Sequence, residues 1–130
     1  MLALDTSTVI YFFKGMGHVV ESLRKEAPRD IGIHAVVLYE LEVGIARSPR
    51  PRQRRESLDA LLEVIHILPF DERAASASAE LRAQLEKAGS GIGPIDTLIA
   101  GTALAHSATL VTHNTKEFSR VRGLRLLDWF

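Results

Sequence analysis

Leu2-Ala3-Leu4-Asp5-Thr6-Ser7-Thr8 opens the chain as three apolar residues cut off by an acid and three hydroxyl side chains. A run this short and apolar reads as a buried strand, and Asp5-Thr6-Ser7 as the cap of a helix that starts at once. Val9-Ile10-Tyr11-Phe12-Phe13 carries that helix until Gly15 and Gly17 break it. A strand that ends on an acid and turns straight into a helix is the signature that organises the rest of the reading.

Outward from that start, short apolar runs keep alternating with helical patterns. A second helix is predicted from His18 to Glu26, ending before Pro28. Ile31-Gly32-Ile33 is a second strand feeding a helix from Ala35 to Arg47, where Val37, Leu41 and Ile45 mark one face. Ser48-Pro49-Arg50-Pro51 must interrupt it, because proline lacks the donor and clashes with the preceding turn. The next helix turns Leu58, Leu61, Leu62 and Ile65 inward, and Val64 to Leu68 becomes strand-like before Pro69. Asp71 caps a long helix with Ala74, Ala77, Leu81, Leu85 and Ala88 in one stripe, and Gly89 is its stop. After the loop Ser90 to Pro94 come a helix over Ile95 to Ser107, a strand over Ala108 to Val111, and an edge strand over Leu124 to Leu127. The alternation predicts an α/β fold: a short-stranded parallel sheet covered on both faces, in one domain spanning residues 1–130.

The totals agree and exclude several classes. At 130 residues with 46% hydrophobic and 25% charged, the chain can bury a core without staples. It has no cysteine, so disulfides and thiolate metal sites are out. No apolar stretch approaches the ~20 residues of a membrane span, and the start lacks the basic, apolar pattern of a signal peptide. A cytoplasmic protein is expected. Sixteen basic residues balance sixteen acidic ones, so any footprint for a polyanion must be local.

In an open parallel sheet, ligands bind beyond the carboxyl ends of the strands. Asp5, His113 and Asn114 all lie just past predicted strand ends. Asp5 reads as a cap, a cation ligand, or both, since one carboxylate oxygen can serve each. Glu40 has Val36, Val37, Val43 and Gly44 as helical neighbours, so it stands at a pocket mouth or faces a base elsewhere. Glu42 is more easily a solvated surface residue. Asp96 falls in the first turn of a strongly apolar helix, where it either partners the helix dipole or serves a site. Glu117 follows the last apolar strand, as a loop acid or a fourth site member. Singly, each has an ordinary explanation; together, the topology brings them to one end of one sheet. Two carboxylates about 4 Å apart repel by roughly 4 kcal/mol at an effective dielectric of about 20, so three or four need a proton or a cation. An all-oxygen set suits Mg²⁺ or Mn²⁺ rather than zinc. Held there, such an ion can polarise a phosphate oxygen and activate water for in-line attack on a phosphodiester.

Four ordered motifs then resemble the PIN-domain family, and within it the VapC-type toxins of toxin–antitoxin pairs. They are Leu4-Asp5-Thr6-Ser7, Tyr39-Glu40-Leu41-Glu42-Val43-Gly44, Ile92-Gly93-Pro94-Ile95-Asp96-Thr97-Leu98-Ile99-Ala100, and Leu110-Val111-Thr112-His113-Asn114-Thr115-Lys116-Glu117-Phe118. The resemblance spans nearly the whole chain. It implies a PIN-like (Rossmann-like) three-layer α/β/α domain and a Mg²⁺-dependent endoribonuclease that cuts transfer or ribosomal RNA. It implies a VapB-like antitoxin that masks the site and carries the complex to operator DNA, and a homodimer. By motif, Asp5 and Asp96 are the core metal ligands and Glu40 the third acid. Many relatives place an aspartate near Asn114; here the acid is Glu117. Ser7, Thr112 and Asn114 resemble hydrogen-bonding support for ligands, metal-bound water or RNA phosphate.

Arg47, Arg50, Arg52, Arg54 and Arg55 form the densest positive run. It reads either as a phosphate-contacting edge, with Arg50 and Arg52 on RNA, or as a solvated helix start in which Arg52 pairs with Glu56. The histidines show no metal-ligand spacing, and only His113 falls beside the expected site. Tyr11, Phe12 and Phe13 read as core or as a dimer face, Trp129 and Phe130 as an apolar terminus that packs back or joins a subunit contact. Two rival functions are a catalytically silent PIN-like binding module and a phosphotransferase with Asp5 as nucleophile. The second wants another aspartate two residues on, where Ser7 stands.

Overall fold

A computed structural model describes residues 1–130. Leu2–Leu4 forms β1, and β2 is Ile31–His34, β3 His66–Leu68, β4 Thr109–Val111 and β5 Leu126–Leu127. All pairings are parallel, in the order β3-β2-β1-β4-β5. The first strand is therefore central: Leu4 lies level with Ile33 on one side and Val111 on the other. The three inner strands are buried and correspondingly apolar, whereas the edge strands β3 and β5 leave Ile67 and Leu127 exposed.

Seven helices connect the strands: α1 (Thr6–Lys14), α2 (Val19–Arg24), α3 (Ala35–Arg47), α4 (Pro51–Leu62), α5 (Glu72–Lys87), α6 (Pro94–Ala105) and α7 (Thr115–Phe118). The local signals act where expected. Asp5 and Asp71 cap α1 and α5 by accepting the backbone N–H groups of Thr8 and Ala74 at 2.8 and 3.0 Å. Gly15 ends α1 at φ +66°, a conformation open to glycine. Helix α2 is shorter than its apolar pattern predicts, and a 3₁₀ turn at Pro28–Asp30 leads into β2. The segment before Phe118 is a short helix, not the loop expected for Glu117.

Two features of the packing matter later. Helices α5 and α6 approach so closely at Gly101 that a Cβ there would lie 2.1 Å from Ser78 Oγ and 2.6 Å from Ser78 Cα. His34, at the end of β2, is 1% exposed with neither ring nitrogen hydrogen-bonded. Burial, reinforced by nearby His106, lowers its pKa to about 4. The apolar terminus packs back: Trp129 lies against the core, and His18 N–H donates to the carbonyls of Trp129 and Phe130. No helix is long and apolar enough to cross a membrane.

Candidate active site

Strand order reverses direction across β1 and β4, and a crevice opens beyond the carboxyl ends of strands at such a point. Each acid reaches it from a different element. Asp5 leaves β1 directly, 5% exposed, with its N–H on the Val111 carbonyl at 3.0 Å. Its Oδ1 caps Thr8, while Oδ2 has no protein partner. The Thr8 hydroxyl also donates to Val111, at 3.1 Å, so the exits of β1 and β4 are tied together. Glu40 projects from the second turn of α3, where Oε1 accepts the Thr6 hydroxyl at 2.5 Å. It has no basic partner, so it is the pocket-mouth reading that the geometry matches.

Asp96 occupies the first turn of α6, and Glu117 lies on α7 after β4. Glu117 is held from two sides: Gly93 N–H donates to Oε1 at 3.0 Å and the Asn114 amide to Oε2 at 2.6 Å. Asn114 is oriented in turn, its N–H donating to the buried Thr112 hydroxyl at 3.0 Å. Those donors, the Gly93 N–H first, keep the Glu117 carboxyl below its ordinary range. Asp96 goes the other way. Burial pushes it up to about 6, helped by the charge of Glu117, a hydrogen bond shared with it, and the charges of Glu40 and Asp5. Asp5, Glu40 and Glu117, distant in sequence from one another, thus act on Asp96 at a single sheet edge. As placed, no three His, Cys, Asp or Glu side chains close into a cage able to hold a metal ion. The donor set is nonetheless all oxygen and crowded around Asp96, with free oxygens on Asp5 and Glu40. That chemistry fits a hard divalent cation.

The other candidates fall out unevenly. Thr112 and Asn114 serve Glu117, and Ser7 is exposed without a hydrogen bond. The arginine run is divided. Arg50 and Arg52 line a shallow hollow with Pro49 and Pro51 that contains none of the four acids. The expected pair of Arg52 with Glu56 is not formed. Instead Arg55 clasps Glu42 with both guanidinium ends, at 2.6 and 2.7 Å, and approaches Asp59 at 3.7 Å. Glu42 is therefore not the free surface acid its position suggested: it links α3 to α4. His113 stacks on Phe130 at 4.2 Å between ring centroids and bonds Asp128 at 3.0 Å. Sequence reasoning missed Thr6 and Gly93. Thr6 was hidden because Asp5 already explained the cap. Gly93 was read as loop, although a glycine just before a helix offers a free N–H to any nearby anion.

Comparison with known proteins agrees with this geometry. The family model of the PIN domain matches residues 2–124. The chain is 34% identical over 126 residues to the "tRNA(fMet)-specific endonuclease VapC" of Shigella flexneri, covering 97% of this chain and 96% of that one. It is 41% identical to "Ribonuclease VapC2" of Rickettsia felis over 76% of this chain and 74% of that one. Among solved structures, VapBC2 from Rickettsia felis bound to a DNA fragment from its promoter superposes with a TM-score of 0.92 at 36% identity, covering 99% and 98% of the chains. DNA-bound VapBC from Salmonella typhimurium gives 0.92 at 32% identity, with the same coverage. A five-stranded parallel sheet with an acidic crevice at its carboxyl edge, matched over its length by VapC proteins, leaves one assignment: the chain belongs to the PIN-domain family, among its VapC members.

Proposed function

We propose that this chain is the toxin of a VapBC-type pair, an endoribonuclease that hydrolyses phosphodiester bonds in RNA with a divalent metal ion, Mg²⁺ or Mn²⁺. The observation that carries the reading is Asp96, half-buried with Glu117, Glu40 and Asp5 all acting on its charge. Such crowding is costly unless a cation answers it. Asp5 and Asp96 would hold the ion, with Glu40 as the third acid. When bound, the ion supplies a Lewis acid for the phosphate and a water of lowered pKa.

The chain's own residues do the rest. Asp5 is fixed by its cap to Thr8 and by the tie to Val111, so its free oxygen points into the crevice at no further entropic cost. Thr6 orients Glu40 through one oxygen and leaves the other for a water or the incoming nucleophile. Glu117, braced by Gly93 and Asn114 and held below its ordinary range, sets the charge that Asp96 meets. Ser7, exposed at the start of α1, is left to contact RNA phosphate, and Arg50 and Arg52 would track the backbone farther out.

The substrate class follows the relatives: transfer RNA is the first to test, since two of them are named for tRNA(fMet). A VapB-like antitoxin, a homodimer, operator DNA reached only through the antitoxin complex, and a cytoplasmic site of action complete the proposal. The test is cleavage of purified tRNA in Mg²⁺. Activity should vanish with EDTA, return with Mg²⁺ or Mn²⁺, and be lost in Asp96→Asn. Cleavage indifferent to both changes would refute the metal site, and no cleavage together with tight RNA or protein binding would favour the silent module.

A further inference from the structure

A cavity of about 250 Å³ lies beside the crevice, between α1, α3 and α4, and Glu40 forms part of its wall. Its apolar lining comes from Ile10, Phe13, Leu41, Ile45 and Leu58. Two cations stand at its rim, Lys14 from the last turn of α1 and Arg54 from α4. Neither has a carboxylate partner, in contrast to Arg55 one residue on. Gly44 also lines the cavity, and a Cβ built there meets nothing within 4 Å.

We propose that this cavity receives the base of a nucleotide flanking the bond that is cut, with Lys14 and Arg54 on its phosphates. The proposal rests on the ribonuclease reading and says where, within that reaction, the RNA is gripped. Three observations carry it. The cavity shares Glu40 with the acid cluster, so a strand threaded over the acids passes its mouth. Its size is below the ~300–1,000 Å³ of pockets that enclose a whole drug-sized ligand, so it suits one flat ring. Apolar walls with unpaired cations at the rim match a base joined to anionic phosphates, whereas the crevice itself is acidic and repels them. The arrangement also gives the arginine run a member next to the site: Arg54, rather than Arg50 or Arg52.

The experiment uses the full chain and a tRNA it cuts, reassembled from synthetic strands with one abasic nucleotide at a time around the scission point. In the wild type, one position should lose about tenfold in kcat/KM, the scale of one lost base contact. Gly44→Leu fills the cavity and improves helix propensity, so it should fold with an undiminished melting temperature. It should cut intact tRNA with KM raised about tenfold and kcat little changed, and should show no further loss at that abasic position. Lys14→Gln with Arg54→Gln should weaken RNA binding and flatten its salt dependence. Losses that simply add at every abasic position would overturn the proposal. So would a Gly44→Leu protein that cuts RNA normally but no longer binds the antitoxin, which would make the antitoxin the occupant. If the wild type cuts no RNA at all, the ribonuclease reading falls first, and the base pocket with it.

Discussion

Asp96 and Glu117 shift each other in opposite directions: burial and then the charge of Glu117 push Asp96 up to about 6, while Glu117 is held below its ordinary range. The donors from Gly93 and Asn114 favour the charged form of Glu117, and that charge disfavours the charged form of Asp96. Glu117→Gln should therefore return the Asp96 pKa toward its ordinary value, as read by carboxyl-carbon NMR titration. An Asp96 pKa that stays near 6 in that variant would show burial alone to be responsible.

The same inequality predicts a linked effect of metal. Because folding raises the Asp96 pKa from 3.8 to about 6, its favourable contribution is complete below pH 3.8 and is lost as pH rises through 6. At pH 7.5 Asp96 is charged, so millimolar Mg²⁺ should raise Tm there and raise it less at pH 5. Equal shifts at both pH values, or none, would argue against an ion at this cluster.

Asp5 both caps a helix and faces the crevice, and two substitutions separate those tasks. Asn caps helices as well as Asp, so Asp5→Asn should keep its stability while losing on the order of 100-fold or more in kcat. Asp5→Ala should lose the activity and, in addition, about 1 kcal/mol of stability. Thermal melts beside tRNA cleavage rates read both.

His34 makes the fold acid-sensitive for a reason unrelated to the acids. Its lowered pKa means that unfolded chains take up a proton which the folded core refuses, so the stability present above pH 6.5 is lost as pH falls toward 4. The full loss is of order 3 kcal/mol. His34→Leu, which breaks no hydrogen bond, should flatten that part of the stability profile in urea titrations at stepped pH.

Gly101→Ala should destabilise by about 1–3 kcal/mol although alanine is the better helix former, because the added carbon strikes Ser78. Ser78→Ala should not rescue it, since the backbone Cα of residue 78 is itself 2.6 Å from the intruding atom. Full rescue would mean that only the hydroxyl is in the way.

How much of this was legible beforehand depends on the range of the interaction. Strand and helix placement came from local signals: the apolar run before Asp5, the proline pair at Pro49 and Pro51, Gly89 after α5. That Asp5 and Glu40 act on Asp96 followed from topology, since each closely follows a strand end or opens a helix at the same sheet edge. Pairings between helices did not follow. Helical spacing suggested Arg52 with Glu56, yet Arg55 reaches across to Glu42, because two helices in contact bring closer partners than one helix offers. The support of Glu117 by Gly93 and the fit of Gly101 to Ser78 were invisible for the same reason. Periodicity marks which face of an element is buried, not what it meets there.

The central position of the first strand has a consequence for synthesis. Leu4 can pair with Val111 only when most of the polypeptide has left the ribosome, and Asp96 and Glu117 emerge just as late. Nascent chains therefore expose Asp5 and Glu40 well before the proposed cutting centre can assemble, and its acids come together nearly all at once as the last strands dock.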